Sequence, residues 1–167
     1  MRFPLSPTPC ERVDSGVRLG VDVGTVRVGV AASDPAGTMA FPVATVARGE
    51  GSAAEVAAIA EERGAAMVFV GLPKNMDGTE GTSAHDARKF AQELAELVDA
   101  PVRLVDERLT TTSAARAMTS AGKSARQQRA SIDSAAATVI LEAALDIDRL
   151  GNLGKVTSEV PREENHD

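Results

Sequence analysis

Sulfur, imidazole and aromatic rings are scarce in this chain, and each scarcity excludes a kind of chemistry. Its 167 residues hold one cysteine, two histidines, four phenylalanines and neither tryptophan nor tyrosine. A lone Cys10 excludes an internal disulfide framework and a cysteine-based zinc cluster. It reads as an exposed thiol in a proline-rich arm. His85 and His166 alone support a zinc hydrolase poorly. Phe3, Phe41, Phe69 and Phe90 are too few for the aromatic platforms on which single-strand binders stack bases. No apolar run approaches the roughly 18 residues of a membrane span. The opening segment, with Pro4, Pro7 and Pro9, lacks the apolar core of a secretory signal. The expectation is a cytoplasmic protein with no membrane partner.

What the chain does have is an uneven charge. The net charge is −6, unlike that of a general nucleic-acid binder. Between Arg103 and Ala130, however, Arg103, Arg108, Arg116, Lys123, Arg126 and Arg129 face only Asp106 and Glu107, a local +4. A basic strip on an acidic body suits local phosphate contact without indiscriminate binding. A solvated helix face explains the strip equally well on charge alone.

The length fits one α/β domain. Residues 1–16 read as a flexible proline-rich arm, 17–150 as the folded domain and 151–167 as a polar, disordered tail. Val17–Val23 and Val28–Ala32 alternate as strands around a Gly24-Thr25 turn, which predicts a hairpin. Met39–Val46 supplies a third strand, placed near an edge by Pro42. Ser52-Ala53-Ala54-Glu55 reads as a capping box opening a helix to about Arg63, stopped by Gly64. Met67–Val70 reads as a buried parallel strand, followed by a helix from Thr82 or Ser83 to about Val98. Val102–Asp106 is a fifth strand, a helix from Thr110–Ser113 ends near Gly122, and a last helix runs from Ser131 to Leu150. This order predicts a mixed five-stranded sheet, antiparallel hairpins continued by parallel strands, with helices on its faces.

Three acidic positions stand out. Asp22 lies inside a strand, where a carboxylate is unfavourable unless paired or bound to metal, and Gly20 and Gly24 share its face. Asp106-Glu107 ends a parallel strand, where open α/β sheets bind ligands, although the pattern does not choose between the two. Asp133 precedes Ala137, Ile140 and Ala144 on one face of the last helix. Each has a bland alternative: a turn-bonded edge residue, a solvated strand end, a helix-dipole partner. Together, three carboxylates from separate elements can converge on one or two hard cations such as Mg²⁺ or Mn²⁺. Phosphodiester hydrolysis uses such a site.

Four segments are recognisable in order: Asp22-Val23-Gly24-Thr25-Val26-Arg27-Val28-Gly29-Val30-Ala31, Gly71-Leu72-Pro73-Lys74-Asn75-Met76-Asp77-Gly78-Thr79-Glu80, Asp106-Glu107-Arg108-Leu109-Thr110 and Asp133-Ser134-Ala135-Ala136. They resemble the YqgF family, also called RuvX, over about Arg18 to Leu145. The resemblance implies an RNase H-like fold and an acidic triad of Asp22, Glu107 and Asp133, and it alone prefers Glu107 over Asp106. It implies a metal-dependent nuclease acting in 5′-end processing of pre-16S rRNA, with a Holliday-junction resolvase acting on branched DNA as the alternative. The proline-rich arm and the tail are departures that touch no motif.

The remaining motif residues have physical readings of their own. Lys74 and Asn75, in a glycine-bearing loop after a buried strand, suit phosphate positioning, against the plain alternative of a connecting loop. Arg27 and Arg108 can orient the carboxylates or grip substrate. Arg126 and Arg129 can hold flanking phosphates, and Thr25 serves the hairpin turn and the site. The partner expected is structured RNA or branched DNA, bound by a monomer or homodimer.

Two other functions compete. Asp22-Val23-Gly24-Thr25 also spells the phosphate-binding hairpin of actin-like ATPases, but those need two lobes, and one domain of this size cannot supply both. A non-catalytic module binding RNA or a ribosome-assembly factor also fits the fold. Retention of all three carboxylates argues against it.

Overall fold

The structure, a computed structural model, describes residues 16–75, 77–109, 125–151, 154 and 157–161; the side chains of 109 and 125–134 lie outside that set. Three antiparallel strands come first: β1 (Val17–Val23), β2 (Arg27–Ser33) and β3 (Ala40–Ala47). Helix α1 (Ser52–Glu62), β4 (Ala65–Leu72), α2 (Thr82–Leu97) and β5 (Val102–Asp106) follow. A 3₁₀ turn (Glu107–Leu109), helix α3 (Ala125–Arg149) and β6 (Thr157–Glu159) complete the described elements.

The sheet order is β3-β2-β1-β4-β5-β6. β1 pairs antiparallel with β2 and parallel with β4, β4 parallel with β5, and β5 antiparallel with β6. The carboxyl ends of β1, β4 and β5 therefore lie side by side. β3 is an edge strand, as Pro42 requires, and the register shifts at the Pro42 pairing.

Strand alternation divides the core in two. Leu19, Val21, Val68, Val70 and Leu104 pack beneath Val56 of α1 and Phe90 and Leu94 of α2. Ala31, Met67, Phe69 and Val105 face the other way, onto Ala137, Ile140, Leu141 and Ala144 of α3. Helix α3 rests directly on β1 because Gly20 has no side chain. A Cβ there would stand 2.7 Å from both the Ala137 carbonyl oxygen and the Leu141 Cβ. At its far end α3 is tied to β1 by Arg18, whose Nη2 lies 3.5 Å from the buried Asp148 carboxylate.

Several expectations need correction. The capping box does not form: Gly51, at φ 84°, is the N-cap of α1, and the Ser52 hydroxyl donates to the Gly49 carbonyl at 2.8 Å. A tight turn closed by the Ser52 N–H on that same carbonyl carries the hydroxyl away from the helix amides. Helix α3 starts at Ala125 rather than Ser131, since Ala125-Arg126-Gln127-Gln128-Arg129-Ala130 contains only good helix formers. The sheet has six strands, not five, because the tail expected to be disordered supplies β6. Three residues are too short to show a periodicity, and what recruits them is tertiary: Arg103 Nε donates to the Thr157 hydroxyl at 2.6 Å and Nη2 to the Thr157 carbonyl at 3.1 Å. Val160 is buried beyond them. The helix expected from Thr110–Ser113 to Gly122 and the arm of residues 1–15, with Cys10, fall outside the described residues.

Candidate active site

Asp22 is the last α3-facing residue of β1, two positions beyond Gly20, and it is half-buried. Its lateral neighbour on β2 is Gly29, and the Val21–Val70 pairing puts Gly71 beside it on β4. Glycine on both sides leaves an open floor around the carboxylate.

Glu107 reaches that floor from the 3₁₀ turn after β5. Its Oε1 is 2.7 Å, and its Cγ 3.1 Å, from where a Cβ on Gly71 would sit, with Ile140 of α3 at 2.5 Å. Glu107 and Asp22 share a hydrogen bond. Burial, the Asp22 charge, that hydrogen bond and the Asp106 charge together push the Glu107 carboxyl up to about 8. Without a cation, Glu107 therefore holds its proton at neutral pH and donates it to Asp22. Two carboxylates crowded this way can accept a hard cation or share a proton, but cannot both ionise freely.

The choice left open between Asp106 and Glu107 is made by backbone direction. Asp106 turns away, accepting Arg108 Nε at 2.9 and 3.1 Å, Arg108 Nη2 at 2.6 Å and the Arg108 backbone N–H at 2.9 Å. Burial acts to raise the Asp106 carboxyl, but the Arg108 hydrogen bonds and charge outweigh it and hold it below the ordinary value.

The other expected residues are not all brought together. Thr25 and Arg27 are exposed at the hairpin tip, where the Gly24 N–H donates to the Arg27 carbonyl at 2.9 Å. Lys74 is half-buried after β4 and close enough to Asp106 and Glu80 to lower both. Asn75 shapes its own loop: its Nδ2 donates to the Thr79 hydroxyl at 2.9 Å, and its backbone accepts from the Gly78 N–H at 2.8 Å. Arg103, counted in the basic strip, is spent on β6, and Arg108 on Asp106. Asp133, Arg126 and Arg129 lie within α3, but their side chains fall outside the described residues. Among the described residues no three of His, Cys, Asp and Glu gather in one group.

Sequence reasoning passed over Arg48 and Asp86, whose bidentate pair links the end of β3 to α2. No motif marks either residue; only an Asp86–Phe90 spacing of one turn hinted at a shared face.

A mixed sheet of this order, with a long helix over one face and two carboxylates at the ends of its central strands, defines an RNase H-like fold of the nuclease kind. Among solved structures, Thermus thermophilus RuvC in complex with a Holliday junction substrate superposes with a TM-score of 0.57 at 14% identity, covering 86% of this chain and 99% of RuvC. The family described as RuvX, Holliday junction resolvase, matches residues 16–147. A protein of Kineococcus radiotolerans named "Putative pre-16S rRNA nuclease" is 52% identical over 141 residues, covering 82% of this chain and 75% of its own. One of the same name from Leifsonia xyli subsp. xyli is 52% identical over 138 residues, covering 81% and 88%. The chain belongs to the RuvX family, and its class is nuclease. Among the described residues no helix is long and apolar enough to cross a membrane.

Proposed function

We propose that the chain is a divalent-metal-dependent endonuclease that processes the 5′ end of pre-16S rRNA in the cytoplasm, with Asp22, Glu107 and Asp133 as its acidic residues. The observation that carries this reading is the Asp22–Glu107 pair on its glycine floor, where burial first, and then the neighbouring Asp22, keep the Glu107 carboxyl protonated. Such a donor set fits Mg²⁺ or Mn²⁺, hard ions that take oxygen ligands. Asp133 stands one helical turn before the sheet-packed Ala137, which suits it as a third ligand. When bound, the ion supplies charge to activate water and to stabilise the leaving oxygen. Asp22 and Glu107 would hold it, the latter after losing its proton.

Substrate contacts assigned to Thr25, Arg27, Lys74, Asn75, Arg108, Arg126 and Arg129 would go to the nucleic-acid backbone, in keeping with the scarcity of aromatics. The names of the Kineococcus and Leifsonia relatives favour RNA as substrate. The test is a panel of labelled substrates, pre-16S rRNA 5′ ends beside four-way DNA junctions, with Mg²⁺ or Mn²⁺. The parent should cut the RNA, and Asp22→Asn and Glu107→Gln should be inactive while folded. Junction cleavage alone would transfer the reading to a resolvase. Cutting by the variants at the parental rate would refute the site.

A further inference from the structure

Arg48 follows β3 directly, and its side chain is mostly covered. Nη2 donates to Asp86 Oδ1 at 2.6 Å, while Nη1 donates to Asp86 Oδ2 at 2.7 Å and to the Gly24 carbonyl at 3.0 Å. The guanidinium carbon lies 5.4 Å from the centre of the buried Phe90 ring. Its backbone N–H donates to the Val26 carbonyl at 2.9 Å. One residue thus joins α2 to the β1–β2 turn, two positions beyond Asp22. The turn is already closed by Gly24 on Arg27 and by the β1–β2 ladder, so hairpin formation alone does not call for this link.

The direction of the contact matters. Helix α2 packs on the face of the sheet opposite α3, whereas Asp22 and Glu107 meet on the α3 face. A trans peptide points its carbonyl and its following N–H in opposite directions, and no described peptide is cis. By drawing the Gly24 carbonyl toward Asp86 and Phe90 of α2, Arg48 turns the Thr25 N–H of the same peptide away from α2. We infer that Arg48 and Asp86 are positioning residues that aim the Thr25 backbone N–H at a phosphate oxygen of the nucleic acid held over Asp22 and Glu107. This rests on the nuclease reading above.

Arg48 serves through its fork: a planar guanidinium bonds the carboxylate and the carbonyl together, which an ammonium does less well. Backbone donors fixed in advance bind phosphate oxygens without reorganising. Loss of that aim should appear in turnover rather than in capture of the RNA, which rests on the cationic side chains.

The test uses the full chain and three variants, Arg48→Met, Arg48→Lys and Asp86→Asn. In ¹H–¹⁵N spectra, a short phosphorothioate RNA hairpin should shift the Thr25 amide of the parent and leave it nearly unmoved in Arg48→Met. With Mn²⁺ and a pre-16S 5′-end RNA, Arg48→Met should lose about tenfold in kcat with KM within about twofold, as expected for a misplaced contact. Arg48→Lys should recover part of that loss, and Asp86→Asn, which keeps the volume and one acceptor, should fall between. If Arg48→Met does not fold, the other two variants carry the same measurements. Parental kcat in the folded variants, or a parental Thr25 amide that stays still while other amides shift, overturns the inference and leaves the nuclease reading standing. A parent in which no amide responds and no RNA is cut overturns the nuclease reading and this inference together.

Discussion

The protonated Glu107 makes a prediction about stability that can be read without any substrate. In the unfolded chain its carboxyl releases its proton near the ordinary value of 4.5, whereas in the fold it holds the proton up to about 8. Between these values the native state binds more protons than the unfolded state, so stability falls as pH rises through that window. The full shift sets an upper bound of about 5 kcal/mol; water reaching a half-buried group reduces the expected loss to about 2 kcal/mol. Glu107→Gln replaces the proton with an amide N–H that can still donate to Asp22 and has no charge to release. Urea unfolding in EDTA, at half-unit steps from pH 5 to 8.5, should show the parent losing about 2 kcal/mol relative to the Gln variant. In melting temperature that is roughly 4–8 °C for a domain of this size. The two proteins should be alike near pH 5 and diverge above it. Parallel pH profiles would refute the argument, because they would mean that Glu107 titrates normally and is not pressed against Asp22.

Three other outcomes follow from the same geometry. Gly20→Ala forces a methyl against the Ala137 carbonyl and the Leu141 Cβ, and should cost about 1–3 kcal/mol in urea unfolding; an unchanged midpoint would mean α3 is not seated on β1. Gly71→Ala pushes instead on the flexible ends of Ile140 and Glu107, so Mn²⁺-dependent cleavage should fall by about tenfold or more through displaced geometry, with a smaller change in melting temperature; equal activity would place Glu107 elsewhere. Arg18→Met leaves Asp148 buried without its cation and should destabilise by about 3 kcal/mol, whereas the double replacement Arg18→Met with Asp148→Leu should recover most of that; failure to recover would show the pair is not coupled.

Much of this architecture was legible from local pattern. The alternation of Val17–Val23, the turn at Gly24-Thr25 and the apolar run at Met67–Val70 each report a period or a chain reversal, and these depend on neighbours in sequence. Gly64 ends α1 at φ 63° as its position implied. The carboxylates were visible because a charge inside an apolar strand, or at its end, departs from the pattern around it. What misled was also local: Ser52 and Glu55 have cap spacing but not cap geometry, and Ser131 looks like a helix start in the middle of one.

What the sequence by itself determined, then, is strands β1 to β5 with the helices α1 and α2 between them, the sheet's hairpin-then-parallel character and the carboxylates that stand out from apolar surroundings. The tertiary structure decided everything that joins distant positions. It turned Asp106 to Arg108 and Glu107 to Asp22, because a 3₁₀ turn after β5 reverses the side-chain direction from one residue to the next. It seated Glu107 over Gly71, 36 positions earlier, and spent Arg103 on a strand formed from the tail, 54 positions later. It also joined Arg48 to Gly24 and Asp86 across 24 and 38 positions. Periodicity carries information over one or two turns of chain, while a carboxyl's proton and a peptide's direction are set by whatever the fold places within hydrogen-bonding distance.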